Sequence, residues 1–414
     1  MIVLGLTENL ATFEAMTQTT ANRLRILHIA SWYPSKVHGT LGNFVKRHIE
    51  AISTMHTGAV CYAAPCPADQ SIPQNSLGDF GNFSEHIVYF NAQKPVVRRV
   101  THELLRLAEQ INDQPFDLIH LHVAYPAGKA ARALAKRWNI PLVVTEHWTA
   151  YHSDQSHRLP FWRRRSMRAT LQQAQLICPV SSDLAQSIKR FAQLEQEEKF
   201  CVVPNVVDTG LFQPQPSKIK KSGELFQWLH ISSLADDQKN ISGLIRTVQR
   251  VRQNSNQFHV QIVGDGNPQP HQKLVDALGL QDCITVHGEI SLDQVAEKMR
   301  NADALLLFSR YENFPCVIPE AWASGIPVLS TDVGGISEHL SIDRGALVES
   351  ENETAMADAM QRWIAGKDSF DCDALRAHAV DHFSVDAVAH AYSNVYTKAL
   401  ESNESIRSSQ LQSA

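Results

Sequence analysis

Apolar residues recur along this chain in two alternating rhythms. Short, nearly unbroken apolar runs at residues 25–30, 59–63, 117–121, 142–145, 176–180 and 201–203 are bounded by polar turns. Between them, at 42–55, 128–138 and 183–191, apolar side chains return with helical spacing. A strand-length run with no polar face suits a strand buried on both sides, and the helical stretches suit its covering layers. A second series repeats the pattern, with strands at 225–232, 259–263, 284–287, 304–308, 328–330 and 346–348 and helices at 241–252, 292–299 and 355–365. The alternation predicts an α/β chain of two doubly wound, Rossmann-like domains facing each other across a cleft. The expected divisions are a leader at 1–22, an N-terminal domain at 23–208 and a C-terminal domain at 209–384. A piece with two Pro, three Lys and two Ser at 212–224 reads as the connection.

Composition narrows the class. A chain of 414 residues is too long for one typical core, which agrees with two domains. A hydrophobic content of 43%, a charged content of 20% and a net charge of −5 describe an ordinary globular protein with no nucleic-acid partner. The seven cysteines include no C-x-x-C pair and read as reduced thiols of a cytoplasmic protein. No apolar run approaches the roughly 20 residues needed to cross a bilayer. Residues 2–6 are apolar, but no basic region precedes them and Glu8 and Glu14 follow, so they make a poor secretory signal. A disordered leader, or a true start nearer Met16, is the expectation.

The most informative stretch runs from Ser309 to Gly335. Glu312 follows an apolar run, and Glu320, after seven intervening residues, lies in the short helix opened by Phe314 and Pro315. A strand, a tight turn and a helix start present unpaired backbone N–H groups to an anion. A carboxylate inside that helix can accept two hydrogen bonds from a ribose diol beside the anion. The combination suits a nucleotide diphosphate that carries something else.

This spacing resembles the E-x7-E signature of retaining glycosyltransferases of family 4, which have the GT-B fold. The downstream segment from Gly325 to Glu338 resembles the same family's small-residue turn, strand and Gly-Gly loop. The resemblance covers about residues 25–400 and implies roles. Glu320 would hold the ribose, Glu312 would contact the donor sugar, and the amides around Phe314, Pro315, Cys316 and Val317 would face the diphosphate. It also implies that the last helix, about 385–402, packs back on the N-terminal domain.

Further segments carry the resemblance. The stretch from His230 to Asn240 resembles G-R-L-x-x-x-K-G, with Lys239 at the Lys position and Ser233 where the family has Arg. A hydroxyl cannot offset a phosphate charge, so Lys239, helix-start amides or Arg310 would have to supply it. Gly264 and Gly266 resemble the G-x-G-P turn beside the nucleotide, and His287 the segment bordering the base. Gly42, with Gly39 second, falls where the family has its glycine-rich loop over sugar and diphosphate. His147, in V-V-T-E-H, matches the histidine that reaches the donor sugar. Val203 to Asp208 resembles P-N-G-V-D, and Asn205 would fix the loop at the cleft.

The implied activity is a metal-independent, retaining transfer of a sugar from a nucleotide-diphosphate sugar to a hydroxyl acceptor. His147, Glu312 and Lys239 would be catalytic. The acceptor would be a glycan or a lipid-linked intermediate of the cell envelope. His120 and His122 alternate on one strand face, with no third ligand at metal-like spacing. The lone D-x-D, Asp371 to Asp373, follows a helix and suggests no metal. No cofactor is expected beyond the nucleotide sugar as co-substrate. Arg163, Arg164 and Arg165, beside Phe161 and Trp162, form a basic and aromatic cluster suited to an anionic acceptor or to peripheral contact with the inner face of the membrane. Two rivals stay open: a nucleotide-sugar epimerase of the same fold and a non-catalytic nucleotide-sugar-binding subunit.

Overall fold

The unbroken apolar runs become the buried strands of two sheets. The computed structural model describes residues 23–93, 95–215 and 223–412. Its first sheet contains β1 (Arg25–Ala30), β2 (Thr57–Cys66), β3 (Ser76–Phe80), β4 (Phe83–Asn91), β5 (Leu118–His122), β6 (Leu142–Glu146) and β7 (Leu176–Pro179). Their spatial order is β3-β4-β2-β1-β5-β6-β7. The second sheet contains β8 (Phe226–Ser233), β9 (Phe258–Asp265), β10 (Ile284–His287), β11 (Ala304–Leu306), β12 (Val328–Thr331) and β13 (Gly345–Val348), ordered β10-β9-β8-β11-β12-β13. Neighbours are parallel except β3 and β4. Each sheet is therefore doubly wound and reverses its strand order once, between β1 and β5 and between β8 and β11.

Three expectations need correction. The hairpin of β3 and β4 was not anticipated: β3 is exposed along most of its length and has no apolar run to betray it. Residues 201–203 form no strand; Cys201 and Val203 only donate backbone bonds to Ile177 and Pro179 at the sheet edge. Phe212 is fully buried in the second domain's core rather than in a polar connection, whose residues 216–222 lie outside the described residues. The expected leader at 1–22 also lies outside them. The seven cysteines are unpaired.

The last helix, Val385–Gln412, leaves the second domain and packs on the first. Val388, Tyr392, Val395, Tyr396 and Ala399 enter a core shared with Ile26, Val60 and Val143. Beside this crossing the Val207 N–H donates to the Phe383 carbonyl at 2.8 Å, so both connections between the domains run together. Polar contacts also tie the facing loops. The Asn205 amide donates to the Phe314 carbonyl at 2.8 Å, and Glu338 accepts the Ser182 and Asp183 N–H groups, each at 2.8 Å.

Candidate active site

In doubly wound sheets the ligand crevice lies beyond the carboxyl ends of the strands, where the strand order reverses. Both reversal points open toward each other here, onto a cleft of about 540 Å³. From the C-terminal side Ser233 (end of β8), Gly264 (β9), Lys239, Glu312, Glu320 and the run Phe314, Pro315, Cys316 and Val317 line it. His147, Trp32, Phe44 and Arg47 line it from the N-terminal side. Residues distant in sequence thus converge at one place.

The buried charges in this cleft form two ion pairs. The Lys239 ammonium donates to Glu312 Oε1 at 2.5 Å, and the Ser309 hydroxyl donates to the same oxygen at 2.8 Å. Arg47 donates to Glu320 Oε1 at 2.5 Å across the cleft. Glu320 is only 3% exposed. Burial pushes its carboxyl above the ordinary range, and Arg47 pulls the other way. Burial also drives the neighbouring Cys316 thiol up to about 12, so it is not a nucleophile at neutral pH.

The N-terminal wall is built from rings. Gly42 caps the helix Asn43–Ser53 at φ +73, and a Cβ there would lie 2.6 Å from the Trp32 carbonyl carbon. Only glycine fits that turn. A Cβ on Gly39 would meet nothing within 4 Å, so Gly39 is the less constrained of the two. The His147 ring lies 4.4 Å from Phe44 and 5.1 Å from His48. Burial, then the neighbouring His48, lowers His147 well below the usual imidazole range, which leaves it neutral. Its carbonyl accepts the Asn313 amide at 2.6 Å, and His152 meets Asn313 Oδ1 at 2.8 Å. Asn313, beside Glu312, therefore fixes the loop that carries His147.

Other expected residues fall elsewhere. Arg310 does not reach the cleft lining: its guanidinium donates to the Asp236 carbonyl, Asn240 Oδ1 and Glu351 Oε1, bracing the turn that carries Lys239. Lys239 ends the one-turn helix Asp236–Lys239, just ahead of the helix Ile241–Arg252. His287 ends β10 outside the lining, and Glu289 and Ile290 occupy the place expected for it. Gly266, at φ +107, turns the chain just beyond the lining residue Asp265. A Cβ on Gly264 would lie 1.9 Å from the Ser232 carbonyl oxygen, so that strand end admits no side chain. The Arg163 guanidinium packs over Tyr125 at 4.7 Å, and the cluster of Arg163, Arg164 and Arg165 stands outside the cleft lining. Phe161 and Trp162 beside it are 70% and 55% exposed.

Arg47 and Asn313 were not anticipated. A signal for Arg47 existed: it stands four residues after Asn43, so both share the helix face that the Gly42 turn aims at the cleft. The third histidine beside His120 and His122 was also missed. It is His28, in register opposite His120 on β1, and ligand atoms of the three lie within 4.8 Å of one another. The set fits a dication poorly. Both ring nitrogens of His120 already meet Tyr396 and Thr145, at 2.8 and 2.7 Å, and the cluster contains no carboxylate to offset buried charge.

Two family descriptions match consecutive parts of this chain: "Glycosyltransferase Family 4" over residues 60–211 and "Glycosyl transferases group 1" over 226–366. The chain belongs to glycosyltransferase family 4. This family-4 chain is 27% identical over 276 residues to a D-inositol 3-phosphate glycosyltransferase of Arthrobacter sp. (strain FB24), a match spanning 63% of this chain and 65% of the relative. It is 25% identical over 272 residues to the putative teichuronic acid biosynthesis glycosyltransferase TuaC of Bacillus subtilis (strain 168), spanning 64% and 66%. The fold is similar to that of sucrose-phosphate synthase from Thermosynechococcus elongatus, at a TM-score of 0.75 and 18% identity over 90% of this chain and 98% of the other. Anabaena HepE, solved in complex with UDP and glucose, gives a TM-score of 0.67 and 18% identity over 91% and 100%. The GT-B architecture expected from the motifs is thus shown.

Proposed function

We propose that the protein is a glycosyltransferase that moves a sugar from a nucleotide-diphosphate donor to a hydroxyl acceptor, with retention and without a metal ion. One observation carries this reading: Glu312, Glu320 and Lys239 meet in a single cleft opposite His147 from the other domain. Support also comes from relatives named as glycosyltransferases of inositol phosphate and teichuronic acid synthesis, and from a fold neighbour solved with UDP and glucose. The teichuronic acid relative favours a glycan or lipid-linked acceptor.

In this mechanism Glu320 accepts the ribose hydroxyls and Lys239 stabilises the departing diphosphate, the kind of electrostatic stabilisation that often dominates catalysis. Glu312 is held by Lys239 and Ser309, a position suited to orienting the donor sugar rather than attacking it. We therefore favour front-face attack. The bond from the anomeric carbon to the diphosphate oxygen breaks, the acceptor oxygen bonds on the same face, and its proton passes to the departing oxygen. Neutral His147 positions the sugar.

A thermal-shift screen with UDP-, GDP- and ADP-sugars tests the donor, because a ligand at 100 times its Kd stabilises by about 2.7 kcal/mol. Product from the stabilising donor and a glycan acceptor should retain its anomeric configuration by NMR and form equally with EDTA. No stabilisation by any donor would sink the reading. Inversion would remove the retaining mechanism, and loss of activity with EDTA would remove metal independence.

A further inference from the structure

We infer that Arg47 is a donor-binding residue: the second cation for the diphosphate, delivered from the N-terminal domain and held by Glu320 until a nucleotide arrives. The inference rests on the nucleotide-sugar reading above and adds a residue that no motif assigned. The chain carries Ser233 where the family's Arg stands, and Arg310 is spent on Asp236, Asn240 and Glu351. Among the described residues lining the cleft, Arg47 and Lys239 are the two with a fixed positive charge.

The burial of Glu320 explains the position of Arg47. Glu320 is 3% exposed, and a buried carboxylate without a partner is costly. Arg47, with 20% of its side chain exposed, supplies that partner from the opposite domain. Each of the two buried carboxylates has its own cation, Glu312 with Lys239 and Glu320 with Arg47, while Asp265 and Glu289 add negative charge at the cleft's exposed edge. A diphosphate entering this cleft brings negative charge that neither pair can absorb unchanged. A ribose diol, however, can satisfy Glu320 with two neutral O–H donors. That exchange releases a guanidinium whose planar fork matches phosphate oxygens two at a time.

Its position is right for the exchange. Arg47 lines the cleft together with Cys316 and pairs with Glu320, beside the turn where the diphosphate is expected. The glycine turn at Gly42 starts the helix that carries it, so the backbone there is fixed. Donor binding would then replace a direct link between the domains by one that runs through the ligand.

The test measures Kd for UDP, GDP and ADP by titration calorimetry at two salt concentrations. For the diphosphate that the unaltered protein binds best, Arg47→Gln should weaken binding roughly 10- to 100-fold, the worth of hydrogen bonds to a charged group. Its salt dependence should also become shallower, while Arg47→Lys recovers part of the loss. Arg47→Gln leaves Glu320 unpaired and risks misfolding, so a second comparison uses Glu320→Gln, an amide that buries without a charge. Adding Arg47→Gln to Glu320→Gln should cost a further loss of about tenfold if Arg47 touches phosphate. No further loss, or tighter binding by Arg47→Gln alone, would overturn the inference and leave Arg47 as a plain link between the domains. Failure of the unaltered protein to bind any of the three diphosphates would instead overturn the nucleotide-sugar reading.

Discussion

The two walls of the cleft solve the same problem with opposite chemistry. The C-terminal wall is electrostatic: Lys239, Glu312 and Glu320 sit on a one-turn helix, a loop and a short helix, held by ion pairs that a ligand can re-partner. Behind Arg47, which reaches across to Glu320, the N-terminal wall is neutral. His28, His48, His120 and His122 are all fully buried and hold no charge. They hydrogen-bond one another, or Tyr392, Tyr396 and Thr145, and so bind the last helix to the first sheet. In the proposed reaction one wall would meet the donor's charge, and the other supplies a rigid backing for His147. A charged backing buried this deeply would carry a desolvation cost.

Acid should break this contrast with the largest effect. An unfolded histidine titrates near 6.5. Burial, the largest cause for each of the four, keeps them neutral to far lower pH, with His48 pushed down to about 3. Above 6.5 neither state binds these protons, and their contribution does not change with pH. As pH falls below 6.5 the unfolded chain binds protons that the folded domain refuses. Stability therefore drops by about 1.4 kcal/mol per pH unit for each histidine, or about 5 kcal/mol for the four. The C-terminal half has one comparably buried histidine with a lowered pKa, His230, pushed to about 4. Native-state hydrogen exchange at pH 7.5 and 5.5 should show the N-terminal half losing protection first. Equal loss in both halves would mean that the histidine network is not the acid-sensitive element.

The next effect probes the charged wall. Lys239→Met should lower kcat roughly 10²- to 10³-fold, about 2.7–4 kcal/mol, the range found when one preorganised electrostatic contact to developing charge is removed. Arg310→Met, which only loosens the turn carrying Lys239, should cost far less. If the two variants fall equally in steady-state kinetics, Lys239 acts as a brace and the charged wall has lost its main catalytic member.

The same contrast explains what could be foreseen. Strands such as β1, β5, β6 and β9 are legible because a buried parallel strand needs a continuous apolar run. The C-terminal wall is legible because its chemistry is local: Glu312 and Glu320 sit close in sequence on one strand-turn-helix unit. Arg47 was missed because its spacing from Asn43 marks the cleft-facing helix face but not its partner, Glu320, which is 273 residues away. His28 was missed for a related reason. It becomes the third member of the cluster only once β1 pairs with β5 in a register that sets it opposite His120. Arg310 misled because a basic residue beside the Glu motif faces outward, toward Glu351.

The smallest effect would sharpen the comparison by asking whether the neutral wall depends on the last helix. The Tyr392 hydroxyl lies 3.1 Å from His48 Nδ1 and 3.0 Å from Thr145 Oγ1. Thr145 also meets His120 at 2.7 Å, so it keeps one partner if the hydroxyl is removed. His48 Nδ1 would have no such second contact, and its ring lies tilted beside His147 at 5.1 Å. Tyr392→Phe keeps the ring and its packing and removes only the hydroxyl. It should cost about 1–3 kcal/mol, the penalty for one unsatisfied buried polar atom, read as a lower urea midpoint with an unchanged slope. With the carboxylates and Lys239 untouched, kcat should hold while KM for the donor rises modestly as His147 loses its backing. An unchanged midpoint would show that Val388, Val395 and Ala399 hold the helix by packing alone, and that the hydroxyl contributes nothing to the wall.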